Sequence, residues 1–97
     1  MNLETVLAAL RVHEAELKEL GVEHLFLFGS VARDEADDES DVDLFFDHPP
    51  GSIGLFELMD VKAAAARILG RKTDIMTRRS LHRLLRPAIE SAARQVF

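Results

Sequence analysis

The sequence predicts a small α/β domain, a mixed β-sheet of about three strands packed with helices. Three observations predict it. Apolar residues recur first at helical and then at strand spacing, in the order α-β-α-β-α-β-α, which implies one layered domain. Two of the strand-like runs carry polar chemistry at their ends: Gly29-Ser30 closes one, and Asp41-Val42-Asp43 opens the next. Finally, 97 residues with 47% hydrophobic content suffice for one core and one domain, spanning 1–97 with no internal linker, repeat or low-complexity stretch.

Leu3, Val6, Leu7, Leu10, Leu17 and Leu20 lie at helical spacing and predict a first helix, with Asn2 as its cap and Gly21 at its end. Val22–Phe28 is short, apolar and aromatic and reads as a buried strand stopped by Gly29. Ser30 to about Asp34 reads as a short helix with Ser30 as N-cap. The acidic run 34–39 is a solvated loop. Asp41–Phe46 alternates, with Val42, Leu44 and Phe46 on one face and Asp41 and Asp43 on the other.

His48-Pro49-Pro50-Gly51-Ser52 is a turn. A second long helix follows, with Leu55, Leu58, Val61, Ala65, Ile68 and Leu69 inward and Gly70 at its end. Lys72–Met76 is the third strand and contains Asp74. Ser80–Phe97 reads as helical, restarted at Pro87, with Leu81, Leu84, Leu85, Ile89, Ala92, Ala93 and Val96 inward.

Composition narrows the function. There is no cysteine, hence no disulfide framework and no thiolate metal site. The formal charge is -5, and no basic stripe interleaves with aromatics, so direct nucleic-acid binding is not expected. The acidity is local: Asp34, Glu35, Asp37, Asp38, Glu39, Asp41 and Asp43 lie within ten positions. The N-terminus lacks the basic and apolar regions of a signal peptide, and no run is long enough to span a bilayer, so no membrane association and a cytoplasmic location are expected. The four histidines have no zinc-type spacing, and neither a P-loop nor a dinucleotide-binding glycine pattern is present.

The chemistry therefore rests on the strand ends. Gly29 lets the backbone approach a phosphate, Ser30 offers a hydroxyl, and the N–H groups that follow open a helix, a position that favours anions. Arg33, about one turn on, is placed to add a charge-assisted contact or to bridge to Asp37. Asp41 and Asp43 project from one strand face with Cα atoms about 6.5 Å apart. Mg²⁺ takes a few carboxylates together with waters and substrate phosphates, and a two-metal site needs a further carboxylate. Asp74 is the best candidate, its alternative being an ion pair with Arg71 or Lys72. Such a site suits in-line displacement at the α-phosphorus of a nucleoside triphosphate, with Ser30 a phosphate ligand rather than a nucleophile. Phe26, Phe28, Phe45 and Phe46 read as core or pocket wall, with one strand-end ring near the base.

The segment Phe28-Gly-Ser-Val-Ala-Arg33, continued by Ser40-Asp-Val-Asp-Leu44, resembles the signature of the minimal nucleotidyltransferases of the DNA polymerase β superfamily. With Gly70-Arg-Lys-Thr-Asp-Ile-Met-Thr77 and the terminal Ala92-Ala-Arg-Gln-Val-Phe97, it resembles the MntA-type antitoxins, which pair with a HEPN-domain ribonuclease toxin. The resemblance implies an Mg²⁺-dependent transfer of AMP from ATP to a toxin tyrosine. It carries over onto Gly29, Ser30, Asp41, Asp43 and Asp74. Two positions depart from the pattern: Asp34 stands where Gly is frequent, and Phe97 where a terminal Tyr is common. The chain is too short to hold a separate acceptor domain, so a partner must supply the acceptor. The alternatives are an antitoxin that neutralises its toxin by binding alone and, more remotely, transfer to a small molecule.

Overall fold

The computed structural model describes residues 2–35 and 41–97. The predicted loop at 36–39 and the Asp37 alternative for Arg33 fall outside them. Among the described residues, four strands form one sheet in the order β3-β2-β1-β4. They are β1 (His24–Phe28), β2 (Val42–Asp47), β3 (Thr73–Thr77) and β4 (Arg94–Gln95). β1 runs antiparallel to β2 and β4, whereas β2 and β3 are parallel. The parallel pair needs a crossover, which α4 (Leu55–Leu69) supplies.

The first helical stretch is two helices rather than one, α1 (Leu3–Val12) and α2 (Glu14–Glu19). Asn2 caps α1 as expected, its side chain accepting from the Thr5 amide at 2.9 Å. The break falls at His13, whose ring Nδ1 lies 2.9 Å from the Ala9 carbonyl. The ring thus occupies the acceptor that the residue's own amide would take in a continuous helix, and that amide turns to Leu10 instead.

One sheet face is the core. Leu25, Leu27, Val42, Leu44, Phe46 and Ile75 pack there against Leu3, Val6, Leu7 and Leu10 of α1 and Val61, Ala64, Ala65 and Leu69 of α4. Of the predicted α4 stripe, Leu55 is out of place. It lies in the first turn and is 70% exposed, as are its neighbours Phe56 at 76% and Met59 at 55%. Gly70 closes α4 in the left-handed region, φ 64°.

The C-terminal stretch departs most from expectation. Instead of a helix to Phe97, it forms a 3₁₀ turn (Arg78–Ser80), a helix α5 (Arg86–Ala92) with Pro87 in its first turn, and β4. Leu81 and Val96 are buried as predicted, but Leu84 and Leu85 are exposed. The strand forms because β1 has a free edge. The Val96 amide donates to Leu25 O at 2.8 Å, and Leu25 N donates to Phe97 O at 3.2 Å. Arg11 of α1 anchors the same strand by donating from Nε to Val96 O at 2.8 Å. Among the described residues, no helix is long and apolar enough to cross a membrane.

Candidate functional site

The second sheet face bears the polar chemistry. Register aligns Phe28 of β1 with Asp43 of β2, and Asp43 with Asp74 of β3. Strand parity therefore puts Asp43 and Asp74 on one face at one end of the sheet, beside the point where β1 gives way to α3 (Gly29–Ala32). Asp41 precedes β2 by one residue and belongs to the same end. All three predicted carboxylates thus lie at one end of the sheet, though among the described residues they do not close into a group of three that could hold a metal ion.

Gly29 is the tightest point. Its φ is 76°, and a Cβ built on it would stand 2.3 Å from Asp43 Oδ2. Only a glycine lets the turn pass this close to the carboxylate. Burial pushes the Asp43 carboxyl above its usual range, and Asp74 and Asp41 add to the rise, with Arg33 opposing them. Burial and two like charges, which the single opposing guanidinium does not offset, produce that direction.

Asp74 is not drawn into the ion pair allowed for it with Lys72. That lysine instead reaches Asp41, Nζ to Oδ2 at 3.6 Å, from a side chain 84% exposed. At that distance and exposure the pair is weak and screened.

The carboxylates fit a hard divalent cation by donor type, since all their ligating atoms are oxygens. Among the described residues no three acidic or histidine side chains form a ready-made cage.

The phosphate side differs in detail from expectation. Phe28, not Ser30, holds the N-cap position of α3, and no side chain caps it. Ser30 sits inside the first turn, half-buried. The helix is a single turn of four residues, so any anion affinity rests on individual N–H groups and the Gly29 approach, not on an extended dipole.

Arg33 donates from Nε to Glu35 Oε2 at 3.0 Å and remains solvent-facing. It also lines a cleft of about 310 Å³ with Phe28, Gly29, Ala88, Ile89 and Ala92. Asp34 has φ 58°, the left-handed region where a side chain costs about 1–2 kcal/mol and where Asp is among the better-tolerated residues. That backbone explains why glycine suits this position.

Sequence reading missed the wall of this cleft. Ala88, Ile89 and Ala92 come from α5, whose placement depends on contacts distant in sequence. It also missed a second polar cluster at the opposite end of the same face. Arg78 donates from Nε to Asp47 Oδ1 at 2.7 Å and from Nη2 to Oδ2 at 2.9 Å, and its Nη1 donates to Glu90 of α5. Its guanidinium lies 4.8 Å from the Phe26 ring centroid and 5.0 Å from that of Phe45, rings that stack at 4.8 Å. The hydrogen bond to Asp47 raises its pKa further, burial opposing and Glu90 assisting.

The family described as "Nucleotidyltransferase domain" matches residues 10–96. The chain is 34% identical over 84 residues to "Protein adenylyltransferase MntA" of Thermococcus cleftensis, covering 84% of this chain and 82% of that protein. Its fold superposes on a solved structure assigned as a minimal nucleotidyltransferase, with TM-score 0.84, 33% identity, and 97% and 95% of the two chains covered. It also superposes on a toxin–antitoxin crystal structure with AMP-PNP, with TM-score 0.72 and 17% identity, covering 90% of this chain and 72% of that one. The last likeness concerns the fold alone.

Proposed function

This chain belongs to the nucleotidyltransferase domain family, and on that premise we propose that it transfers AMP from ATP to a hydroxyl of a partner toxin, acting as its antitoxin. The acceptor we assign is a tyrosine of a HEPN-domain ribonuclease, and the metal is Mg²⁺, two ions. The resemblance to MntA-type antitoxins and the name of the Thermococcus cleftensis relative support this reading.

The observation that carries it is the approach of Gly29 to Asp43, with Asp74 in register across the strand pair. Asp41 and Asp43 would hold the metal that the triphosphate shares, and Asp74 would join them on the acceptor side. Bound Mg²⁺ supplies charge neutralisation at the phosphates and lowers the pKa of the acceptor hydroxyl. Gly29 leaves room for a phosphate oxygen, Ser30 offers its hydroxyl as a donor, and Arg33 adds positive charge at the cleft. The acceptor oxygen bonds to the α-phosphorus as the bond to pyrophosphate breaks. The hydroxyl proton leaves to solvent, and no covalent enzyme intermediate forms.

Incubation with ATP, Mg²⁺ and the partner toxin should add the mass of AMP to the toxin. The Asp41→Asn/Asp43→Asn double variant should fold and leave the toxin unmodified. Persisting modification would overturn the metal assignment.

A non-catalytic antitoxin remains the second reading, and the exposed apolar surface of Leu55, Phe56 and Met59 favours it, because it offers contact area independent of the carboxylates. The same double variant separates the two. Full neutralisation without modification means sequestration, whereas binding without neutralisation means catalysis.

A further inference from the structure

No residue of α5 is buried. A seven-residue helix with no buried side chain has little hydrophobic attachment of its own. Yet its Ala88, Ile89 and Ala92 form one wall of the cleft opposite Phe28, Gly29 and Arg33. Its position therefore leans on polar contacts, among them Arg86 at its start, which donates from Nη2 to the Arg79 and Leu81 carbonyls at 3.0 and 3.3 Å. The Arg78–Glu90 ion pair is such a contact, reaching from the residue after β3 to the middle of α5.

Arg78 is itself firmly held. Its fork grips both oxygens of Asp47, and its plane lies over the stacked Phe26 and Phe45 rings. Asp47 ends β2, the strand that carries Asp43 near its start. Bidentate pairing together with a ring face fixes a guanidinium more tightly than a single exposed ion pair does. The side chains of Arg78, Asp47 and Glu90 are each about one-third exposed, so the cluster is only partly screened.

We infer that Arg78, through Glu90, is a positioning residue for the nucleotide: it locks α5 at the distance from Phe28 and Gly29 that a bound nucleotide requires. The inference rests on the nucleotide-site reading above. Neither residue meets the reacting atoms. Arg78 follows β3 at the end opposite Asp43, and Asp47 and Asp43 are about 13 Å apart along β2 at 3.3 Å per residue. Loss of the pair loosens the wall and weakens nucleotide binding, while the carboxylates that serve the chemistry stay in place.

The test uses the full chain, Glu90→Gln, Arg78→Gln and the double variant, with Arg78→Lys in reserve should Arg78→Gln fail to fold. Affinity for a non-hydrolysable ATP analogue with Mg²⁺ is measured by calorimetry, and amide exchange is followed across 86–92. The expected result is about tenfold weaker binding for each single variant, the scale of one charged hydrogen bond. The double variant should lose no more than the worse single one. In the toxin-modification assay KM for ATP should rise with kcat retained, and exchange in α5 should accelerate.

Unchanged affinity in variants of a nucleotide-binding wild type overturns the inference alone, as do additive losses or a fall in kcat at constant KM. A wild type that does not bind the analogue overturns the nucleotide reading and this inference with it. Faster α5 exchange in Glu90→Gln would then still identify the ion pair as a structural tie.

Discussion

Two carboxylate clusters occupy opposite ends of the same sheet face, and they are built in opposite ways. At one end Asp47 meets Arg78, which also binds Glu90 and lies on two phenylalanine rings. Every charge there has a partner of opposite sign. At the other end Asp43 faces Asp74 and Asp41 beside a glycine turn, and its pKa rises. Arg33, which opposes that rise, and Lys72 are largely in solvent and engaged with Glu35 and Asp41. The same chain, within one strand, satisfies one carboxylate fully and leaves another in a repulsive field. Folding alone favours the first arrangement. The second is what a site looks like when the compensating charge is to arrive from outside.

The largest effect on stability should come from the paired end. Arg78→Leu removes the partner of Asp47 and Glu90 and the cation over both rings. The expected loss is about 2–3 kcal/mol, between the values for exposed and buried pairs because the cluster is about one-third exposed. Urea denaturation measures it. A loss below about 0.5 kcal/mol would erase the contrast between the two ends.

Gly29→Ala should act at the other end with a smaller cost in stability. A side chain at φ 76° is strained, and its Cβ would press on Asp43 Oδ2, the far end of a side chain that can turn away. About 1–2 kcal/mol of destabilisation follows, together with a loss of AMP transfer greater than the stability change explains. Activity retained at wild-type level would mean that the close approach serves the fold rather than a phosphate.

These two ends were not equally legible in the sequence. Parity along 41–46 placed Asp43 opposite the core face, because that depends only on period-two geometry, while the register of the solitary Asp74 with it comes from the parallel pairing seen in the structure. The α4 stripe was legible at Val61, Ala65 and Leu69 for the same local reason. It failed at Leu55, where the helix begins before anything packs on it. The Arg78–Asp47–Glu90 cluster was invisible, since Arg78 joins residues 31 and 12 positions away. β4 was invisible too: its alanines and leucines upstream read as helix, and only the unpaired edge of β1 turns Arg94–Gln95 into a strand. Ser30 was read as a cap from its residue type, whereas the cap falls two residues earlier, at Phe28, and the turn begins at the glycine that Asp43 demands.

The smallest effect has the opposite sign from the others and separates the two ends most sharply. Asp43 has a folded-state pKa above its unfolded value of 3.8, so the folded protein holds that proton more tightly. Its contribution therefore favours the fold at acid pH and is lost as pH rises from 3.8 through the raised folded value. Above that window the ionised carboxylate repels Asp74 and Asp41. Asp43→Asn removes the repulsion and should stabilise the metal-free protein at neutral pH, while flattening that part of the pH profile. Added Mg²⁺ and nucleotide should raise the melting temperature of the unsubstituted chain and leave Asp43→Asn nearly unmoved, because binding to the folded state alone is what stabilises it. A wild-type melting temperature indifferent to both, or an Asp43→Asn variant less stable than the parent, would mean that this carboxylate is held by the fold as Asp47 is. The two ends of the sheet would then be the same kind of structure.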